Sequence, residues 1–165
     1  MSLVEKYPKE VEKILAKYPS EFKRSAVMPL LYLAQREEGY VDRHAIHDIA
    51  KMLDITDTEV SSIIGFYTLY HNKPEGALRI QVCTDLPCAL RGADQFLADL
   101  CEKLDIEPGG TTADGLITVE PVMCLAACDK APMFQTQGPD GIKYHENMTV
   151  EKTLELIDGY KEVKE

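Results

Sequence analysis

Four cysteines form two closely spaced pairs in the second half of the chain. Four residues separate Cys83 from Cys88, three separate Cys124 from Cys128, and 35 residues lie between the pairs. Thiolates are soft, charged ligands that bind iron–sulfur clusters and zinc. Both spacings suit a four-cysteine zinc site as well as a [2Fe–2S] cluster, so spacing alone leaves both cofactors open.

Both pairs directly follow a predicted strand. Alternation of apolar and polar residues over 78–82 predicts a half-buried strand that ends at Cys83, and residues 116–122 predict a second strand that leads to Cys124. Strand ends fix the roots of the loops that follow, so two short loops can converge on one small inorganic group. A helix is expected from about Ala89 to Leu104, with its N-terminal N–H groups directed at the thiolates.

The fifth cysteine, Cys101, lies on the apolar stripe of that helix and is interpreted as a core residue. Further along the chain, a hairpin is expected around residues 138–141, and Thr149 can cap a last helix. The second half therefore reads as a small sheet with helices.

The first half of the chain reads as a bundle of short amphipathic helices. Apolar residues recur at helical spacing, Asp42 can cap one helix, and Thr56 with Glu59 forms a capping box before another. The aromatic residues Phe66, Tyr67 and Tyr70 are interpreted as core or subunit contacts rather than as a platform for a flavin. The pattern changes near Pro74, which predicts a boundary between residues 1–74 and 75–165.

Composition and motif searches argue against several functional classes. The chain has 18 Lys and Arg against 28 Asp and Glu, a net charge of −10, which argues against nonspecific binding to nucleic acid or to anionic lipid. The longest stretch without a charged residue, residues 60–72, is shorter than the ~20 residues of a membrane span. Without a signal-peptide pattern a cytoplasmic location is expected, where disulfides are disfavoured. Dinucleotide and Walker motifs are missing, so no substrate site or catalytic residues are assigned.

Six sequence segments resemble one component of bacterial NADH-quinone oxidoreductase, the thioredoxin-like [2Fe–2S] ferredoxin family of respiratory complex I. The resemblance extends over nearly all of the chain after about Ser20. The segments are SAVMPLLYLAQ (Ser25–Gln35), GYV (Gly39–Val41), GFYTLY (Gly65–Tyr70), VCTDLPC (Val82–Cys88), TTADG (Thr111–Gly115) and CLAACDKAP (Cys124–Pro132).

The resemblance implies an α/β (α+β) fold: a helical bundle over residues 1–74, docking to a flavoprotein partner, then a thioredoxin-like [2Fe–2S] domain over 75–165. It implies that Cys83, Cys88, Cys124 and Cys128 bind the iron of one [2Fe–2S] cluster. Each tight pair is expected to hold one iron, because such a loop can clasp only one metal atom.

Partners also follow from the resemblance. Single electrons would be exchanged with FMN in the adjacent flavoprotein of the complex, which oxidises NADH, so FMN and NADH would bind the partner rather than this chain. The large iron–sulfur protein of the peripheral arm is a second expected partner. The complex would lie peripherally on the cytoplasmic side of the inner membrane, and this chain would be a non-catalytic electron-transfer component of the enzyme.

The second cysteine loop departs from the family at one position. Members usually carry glycine where this chain has Ala126, and alanine is disfavoured if that position needs a positive φ.

Three alternatives remain at this point. The same type of protein occurs in the diaphorase modules of NAD-linked hydrogenases and formate dehydrogenases. A structural zinc module fits the cysteine spacing. A free-standing ferredoxin is the third, although the added helical bundle counts against it.

Overall fold

Helices make up the first half of the chain, and a five-stranded sheet with its helices makes up the second. The computed structural model describes residues 2–162. The chain divides into two units, Met1–Pro74 and Glu75–Glu165, called here the helical unit and the sheet unit. No helix within residues 2–162 is long and apolar enough to cross a membrane.

The helical unit is built from short amphipathic helices, and the side chains that the sequence indicates fix the starts of two of them. Asp42 accepts a hydrogen bond from the backbone N–H of Ala45, and Thr56 and Glu59 form both bonds of a capping box. Pro29 lies in the first turn of its helix, where proline is tolerated. The elements are α1 (Leu3–Lys6), α2 (Pro8–Leu15), a 3-10 segment (Ser20–Ala26), α3 (Val27–Glu38), α4 (Arg43–Leu53) and α5 (Asp57–Phe66).

The sheet unit contains a mixed sheet with strand order β2-β3-β1-β4-β5. The β1–β3 pair is parallel, and the β1–β4, β2–β3 and β4–β5 pairs are antiparallel. The predicted hairpin is present as β4 and β5. The elements are β1 (Leu78–Cys83), α6 (Leu86–Ala89), α7 (Ala93–Lys103), β2 (Gly110–Thr111), β3 (Ile117–Val122), a 3-10 turn (Cys128–Lys130), β4 (Phe134–Gly138), β5 (Gly141–His145) and α8 (Val150–Glu162).

The central strand β1 is buried on both faces, so the prediction of a half-buried strand is wrong. Its two polar side chains have partners: Arg79 Nε lies 2.6 Å from a Glu75 carboxylate oxygen, and Gln81 Nε2 donates to Glu120 Oε1 at 2.8 Å. Burial of polar groups is tolerated when they are hydrogen-bonded. Alternation therefore identified the strand but misjudged what lies on its polar face.

The apolar core of the sheet unit forms from one face of the sheet and side chains of α7 and α8. Phe96 on α7 stacks on Phe134 of β4, with ring centroids 6.1 Å apart. The buried members of this core are Leu78, Ile80, Val82, Phe96, Leu97, Leu100, Cys101, Ile117, Val119, Phe134 and Ile157. Cys101 is thus the core residue that its helical stripe predicts.

Candidate metal centre

Parallel pairing brings the roots of the two cysteine loops to one edge of the sheet. Cys83, the last residue of β1, is in register with Val122, the last residue of β3. Two backbone bonds fix the strand end: Cys83 N donates to Met133 O at 3.3 Å, and Thr84 N donates to Val122 O at 3.0 Å. The start of the Cys124 loop therefore lies beside Cys83.

The first cysteine loop is a single helical turn. Cys88 lies within α6, where its N–H donates to Asp85 O at 2.8 Å, and Arg91 N donates to Cys88 O at 3.0 Å. Gly92 then adopts a left-handed conformation with φ 90° and separates α6 from α7. The predicted helix is present as α7, but its predicted start near Ala89 is wrong, because α7 begins five residues after Cys88 rather than directly after it. Glycine at position 92 permits this break because the left-handed region carries no steric cost without a Cβ.

The second cysteine loop is more open. Cys124 is exposed and Cys128 is half-buried at the start of the 3-10 turn. The backbone N–H of Ala126 donates to the Cys124 sulfur, with N···S 3.3 Å, and Ala126 has φ 59°. The position where the family usually carries glycine thus does adopt the left-handed conformation.

Contacts from other elements tie the two loops together. Arg91, directly after the first loop, donates from Nε to the carbonyl of Ala131 at 3.3 Å. Asn147 N and Met148 N donate to the carbonyls of Lys130 and Pro132 at 2.8 and 2.9 Å. The exit of the second loop is therefore held both by Arg91, directly after the first loop, and by the segment that precedes α8.

The four thiols of the two pairs lie close enough to interact. Burial, a hydrogen bond with Cys83 and the charges of Cys83, Cys128 and Cys124 raise the pKa of Cys88 to about 12. Burial, followed by the Cys124 and Cys83 thiols, also raises the pKa of Cys128. All five cysteines of the chain are free thiols, and Cys101 is apart from these four in the apolar core. The structure therefore brings together the four cysteines that the sequence selects.

The four cysteines of the two pairs fit an inorganic cluster that contains metal ions. Each pair supplies two sulfur donors, which matches the two thiolates that each iron of a [2Fe–2S] cluster takes. Burial and the neighbouring thiols raise the pKa values of Cys88 and Cys128. A bound cation reverses that effect because coordination deprotonates a thiol. A four-thiolate zinc site would satisfy the same two conditions.

Comparison with known proteins separates these cofactors. The pattern of the thioredoxin-like [2Fe-2S] ferredoxin family matches residues 11–161. The chain belongs to this family. Membership confirms the predicted fold class, the [2Fe–2S] cofactor and the electron-transfer role, and it disfavours the zinc module.

Curated relatives confirm the resemblance to a component of NADH-quinone oxidoreductase. The chain is 40% identical to the corresponding NADH-quinone oxidoreductase subunit of Rickettsia bellii, over 89% of this chain and 86% of that protein. It is 35% identical to the corresponding subunit of Rhizobium meliloti, over 92% and 87% of the two chains. Identity to subunit 2 of the Thermus thermophilus NADH-quinone oxidoreductase is 43%, over 76% of this chain and 69% of the relative.

A solved structure shares the fold of the family. The crystal structure of an air-oxidised NAD+-reducing [NiFe]-hydrogenase matches 81% of this chain with a TM-score of 0.65 and 19% identity. The match spans 23% of that hydrogenase chain. At this identity the likeness is one of fold.

Exposed apolar side chains flank the cysteines, and sequence reasoning did not identify them as functional. Leu86 and Leu90 border Cys88 with 69% and 80% of their surfaces exposed, and Met123 precedes Cys124 with 74% exposed. These three residues are called the apolar rim below. Their signal in the sequence is that they are large apolar residues within two positions of a candidate ligand and outside every apolar helical stripe.

Proposed function

We propose that this chain is the electron-transfer component of an NADH-quinone oxidoreductase. The observation that carries the proposal is the meeting of four interacting thiols at the ends of β1 and β3. Family membership and relatives that are named as subunits of such oxidoreductases support it. In this role the chain has no substrate site of its own and is one component of an oxidoreductase.

Cys83 and Cys88 hold one iron of the cluster, and Cys124 and Cys128 hold the other. The bound cluster supplies one-electron chemistry. Cys83 and Cys88 are almost fully buried, with 1% and 0% of their surfaces exposed, so they shield their side of the site from water. Ala93, Ala131 and Met133 pack around this pair and provide a low-dielectric wall.

The second pair forms the open side of the site. Cys124 is exposed, and so is Met123 of the apolar rim directly before it. The other two residues of the rim, Leu86 and Leu90, are exposed on either side of Cys88 in the chain. Electron exchange requires that the redox group come close to its partner, and large exposed apolar side chains mark protein contact sites. We assign this side to electron exchange with the flavoprotein of the complex, which carries FMN and binds NADH.

The helical unit docks to the same flavoprotein. Aromatic and apolar side chains are exposed at the end of α5, where Phe66 is 76% exposed and contacts Tyr67 edge-to-face at 5.0 Å. Tyr32 on α3 is exposed as well. Aromatic residues are enriched in protein interfaces, which supports the interpretation of Phe66 and Tyr67 as subunit contacts. The large iron–sulfur protein of the peripheral arm is the second partner, and the complex lies on the cytoplasmic side of the inner membrane.

Metal analysis tests the cofactor assignment. Protein purified without oxygen should contain iron and acid-labile sulfide in equal amounts. Reduction by dithionite should produce the EPR signal of a reduced [2Fe–2S] centre at one spin per chain. Zinc without iron or sulfide would overturn the assignment.

Purification from native cells tests the assembly. Affinity capture followed by mass spectrometry should recover the FMN flavoprotein together with quinone-reducing subunits. Recovery of a hydrogenase or a formate dehydrogenase instead would replace complex I by a diaphorase module. A chain that always elutes alone would favour a free carrier.

A further inference from the structure

Ala126 has an unusual backbone conformation for its residue type. Its φ of 59° lies in the left-handed region, which alanine avoids because its Cβ crowds the following carbonyl. The other described non-glycine residues with positive φ are Asp54, Asp105 and Asn147. Asp and Asn tolerate this region through local hydrogen bonds of their side chains, and alanine has no such group.

The neighbours of Ala126 show what maintains this conformation. Leu125 and Ala127, on either side, pack against the buried cluster that contains Cys83, Cys88 and Met133. Ala126 is the residue that must turn between these two anchors. The turn directs its N–H at the Cys124 sulfur, with N···S 3.3 Å.

We propose that Ala126 is a positioning residue that tunes the cluster, because its left-handed backbone fixes an N–H donor on the sulfur of Cys124. The inference rests on the proposed ligand set. One-electron reduction of a cluster bound by these cysteines would make its charge more negative by one unit. A donor to a ligand sulfur stabilises that added charge and therefore raises the reduction potential.

The location of the donor gives it weight. Cys124 is the exposed ligand, so water competes for its sulfur, and water reorients where a backbone N–H does not. The donor also holds the sulfur in place at the open side of the site.

Replacing one amide by an ester tests the donor without changing a side chain. A thioester of residues 1–123 can be ligated to a synthetic peptide that starts at Cys124 and carries lactic acid in place of Ala126. The ligated chain is refolded, loaded with iron and sulfide, and titrated potentiometrically with dithionite while EPR is recorded. Semisynthetic chain with the natural amide is the reference.

A matched control removes a donor of the same loop that does not reach a sulfur. Lys130 N donates to Ala127 O at 3.0 Å, so an ester at position 130 breaks that bond only. We expect the ester at 126 to lower the reduction equilibrium constant about tenfold, which is about 59 mV for one electron. The ester at 130 should leave the potential unchanged.

The outcomes separate this inference from the proposed function. If the reference chain takes up no iron, the ligand set fails and the inference falls with it. If the reference loads but the ester at 126 leaves the potential unchanged, or both esters lower it equally, the inference alone is overturned. Failure of the ester at 126 alone to load would support the positioning role.

Ala126→Gly provides a second, simpler variant. Glycine retains the N–H and accepts the left-handed conformation, so the potential should remain at the wild-type value. A fall as large as that of the ester would show that the methyl group, rather than the donor, sets the potential.

Discussion

The two cysteine loops leave the same edge of the sheet, yet they are held differently. The Cys83–Cys88 loop continues a central strand into a helical turn, and both of its thiols are buried. The Cys124–Cys128 loop follows β3, has an exposed first thiol and relies on a strained residue for its turn. The first loop resembles part of the core and the second resembles part of the surface.

This difference indicates that the two cysteine pairs of one metal centre have different roles. The buried pair holds the cluster rigidly, because its backbone is fixed and water cannot reach the metal to replace a thiolate ligand. An exposed pair gives the cluster a side that a partner can approach.

Serine substitution in the buried Cys83–Cys88 pair should abolish cluster binding, whereas serine substitution of the exposed Cys124 should only weaken it. Cys88→Ser places a hydroxyl, a poorer ligand that must lose its proton, in a desolvated site, so iron content should fall more than tenfold. Cys124→Ser should retain part of the iron because water and the mobile serine can complete the coordination. Iron content and the visible spectrum measure both effects.

Cys101→Ala is the control for these variants. Cys101 lies in the apolar core, so its replacement should leave the iron content unchanged while it lowers stability slightly. Equal loss of iron from Cys88→Ser and Cys124→Ser would show that burial does not distinguish the two pairs.

The apolar rim should matter for electron exchange and not for cluster binding. Leu90→Glu or Met123→Glu places a charge where we propose that the flavoprotein docks, and burying an unpaired charge is unfavourable. We expect at least a tenfold weaker interaction, about 1.4 kcal/mol. The rate at which NADH and the flavoprotein reduce the cluster, recorded over a range of flavoprotein concentrations, measures this affinity.

Ile142→Glu provides the matched control, because Ile142 is an exposed apolar residue on the edge strand β5, outside both cysteine loops. It should leave the reduction rate unchanged. An equal effect at all three positions would remove the rim from the proposed interface.

Local patterns made much of this structure predictable. The bonds of the Thr56–Glu59 capping box form between residues three apart, and the strand that ends at Cys83 follows from alternation alone. The four cysteines were selected by their spacing and by the resemblance of the segments around them. Each of these signals is contained within a few consecutive residues.

The features that were missed depend on partners distant in the chain. Burial of Gln81 requires Glu120, which is 39 residues away, and no local pattern reports that pairing. The interruption at Gly92 was missed because a single glycine is compatible with a continuous helix, and only its left-handed conformation separates α6 from α7. At Ala126 the resemblance identified the position but left its conformation open, since the conformation depends on how Leu125 and Ala127 pack.

Relief of the backbone strain at Ala126 in the second cysteine loop should stabilise the apo-protein. Ala126→Gly removes the steric cost of the left-handed conformation, so the free energy of unfolding should rise by about 1 kcal/mol. Urea denaturation of the apo-protein measures it. Ala127→Gly is the matched control: Ala127 has φ −125°, so glycine there should destabilise the protein by about 0.5–1 kcal/mol. The same sign for both variants would contradict strain at Ala126.

The smallest effect is expected where the strand of the exposed pair begins. Hydrogen bonds from the Thr112 hydroxyl and the Leu116 N–H, together with Lys161 at 3.0 Å, lower the pKa of Asp114 from 3.8 to about 2. A lowered pKa contributes stability that is present above the unfolded value and is lost as the pH falls through the folded value. Asp114→Asn should therefore lower the unfolding midpoint of the apo-protein at pH 7, and the difference should vanish between pH 4 and pH 2.

Asp140→Asn, which breaks a 3.6 Å surface contact with Lys143, should change the midpoint less at pH 7. Iron content at neutral pH decides what Asp114 means for the metal centre. If β3 is a rigid element, the turn at its start supports stability only, and Asp114→Asn should bind as much iron as the wild type. Loss of iron would show instead that the Cys124–Cys128 pair depends on the start of β3, the strand that precedes it. The buried Cys83–Cys88 pair begins at the end of the central strand β1 and has no such dependence.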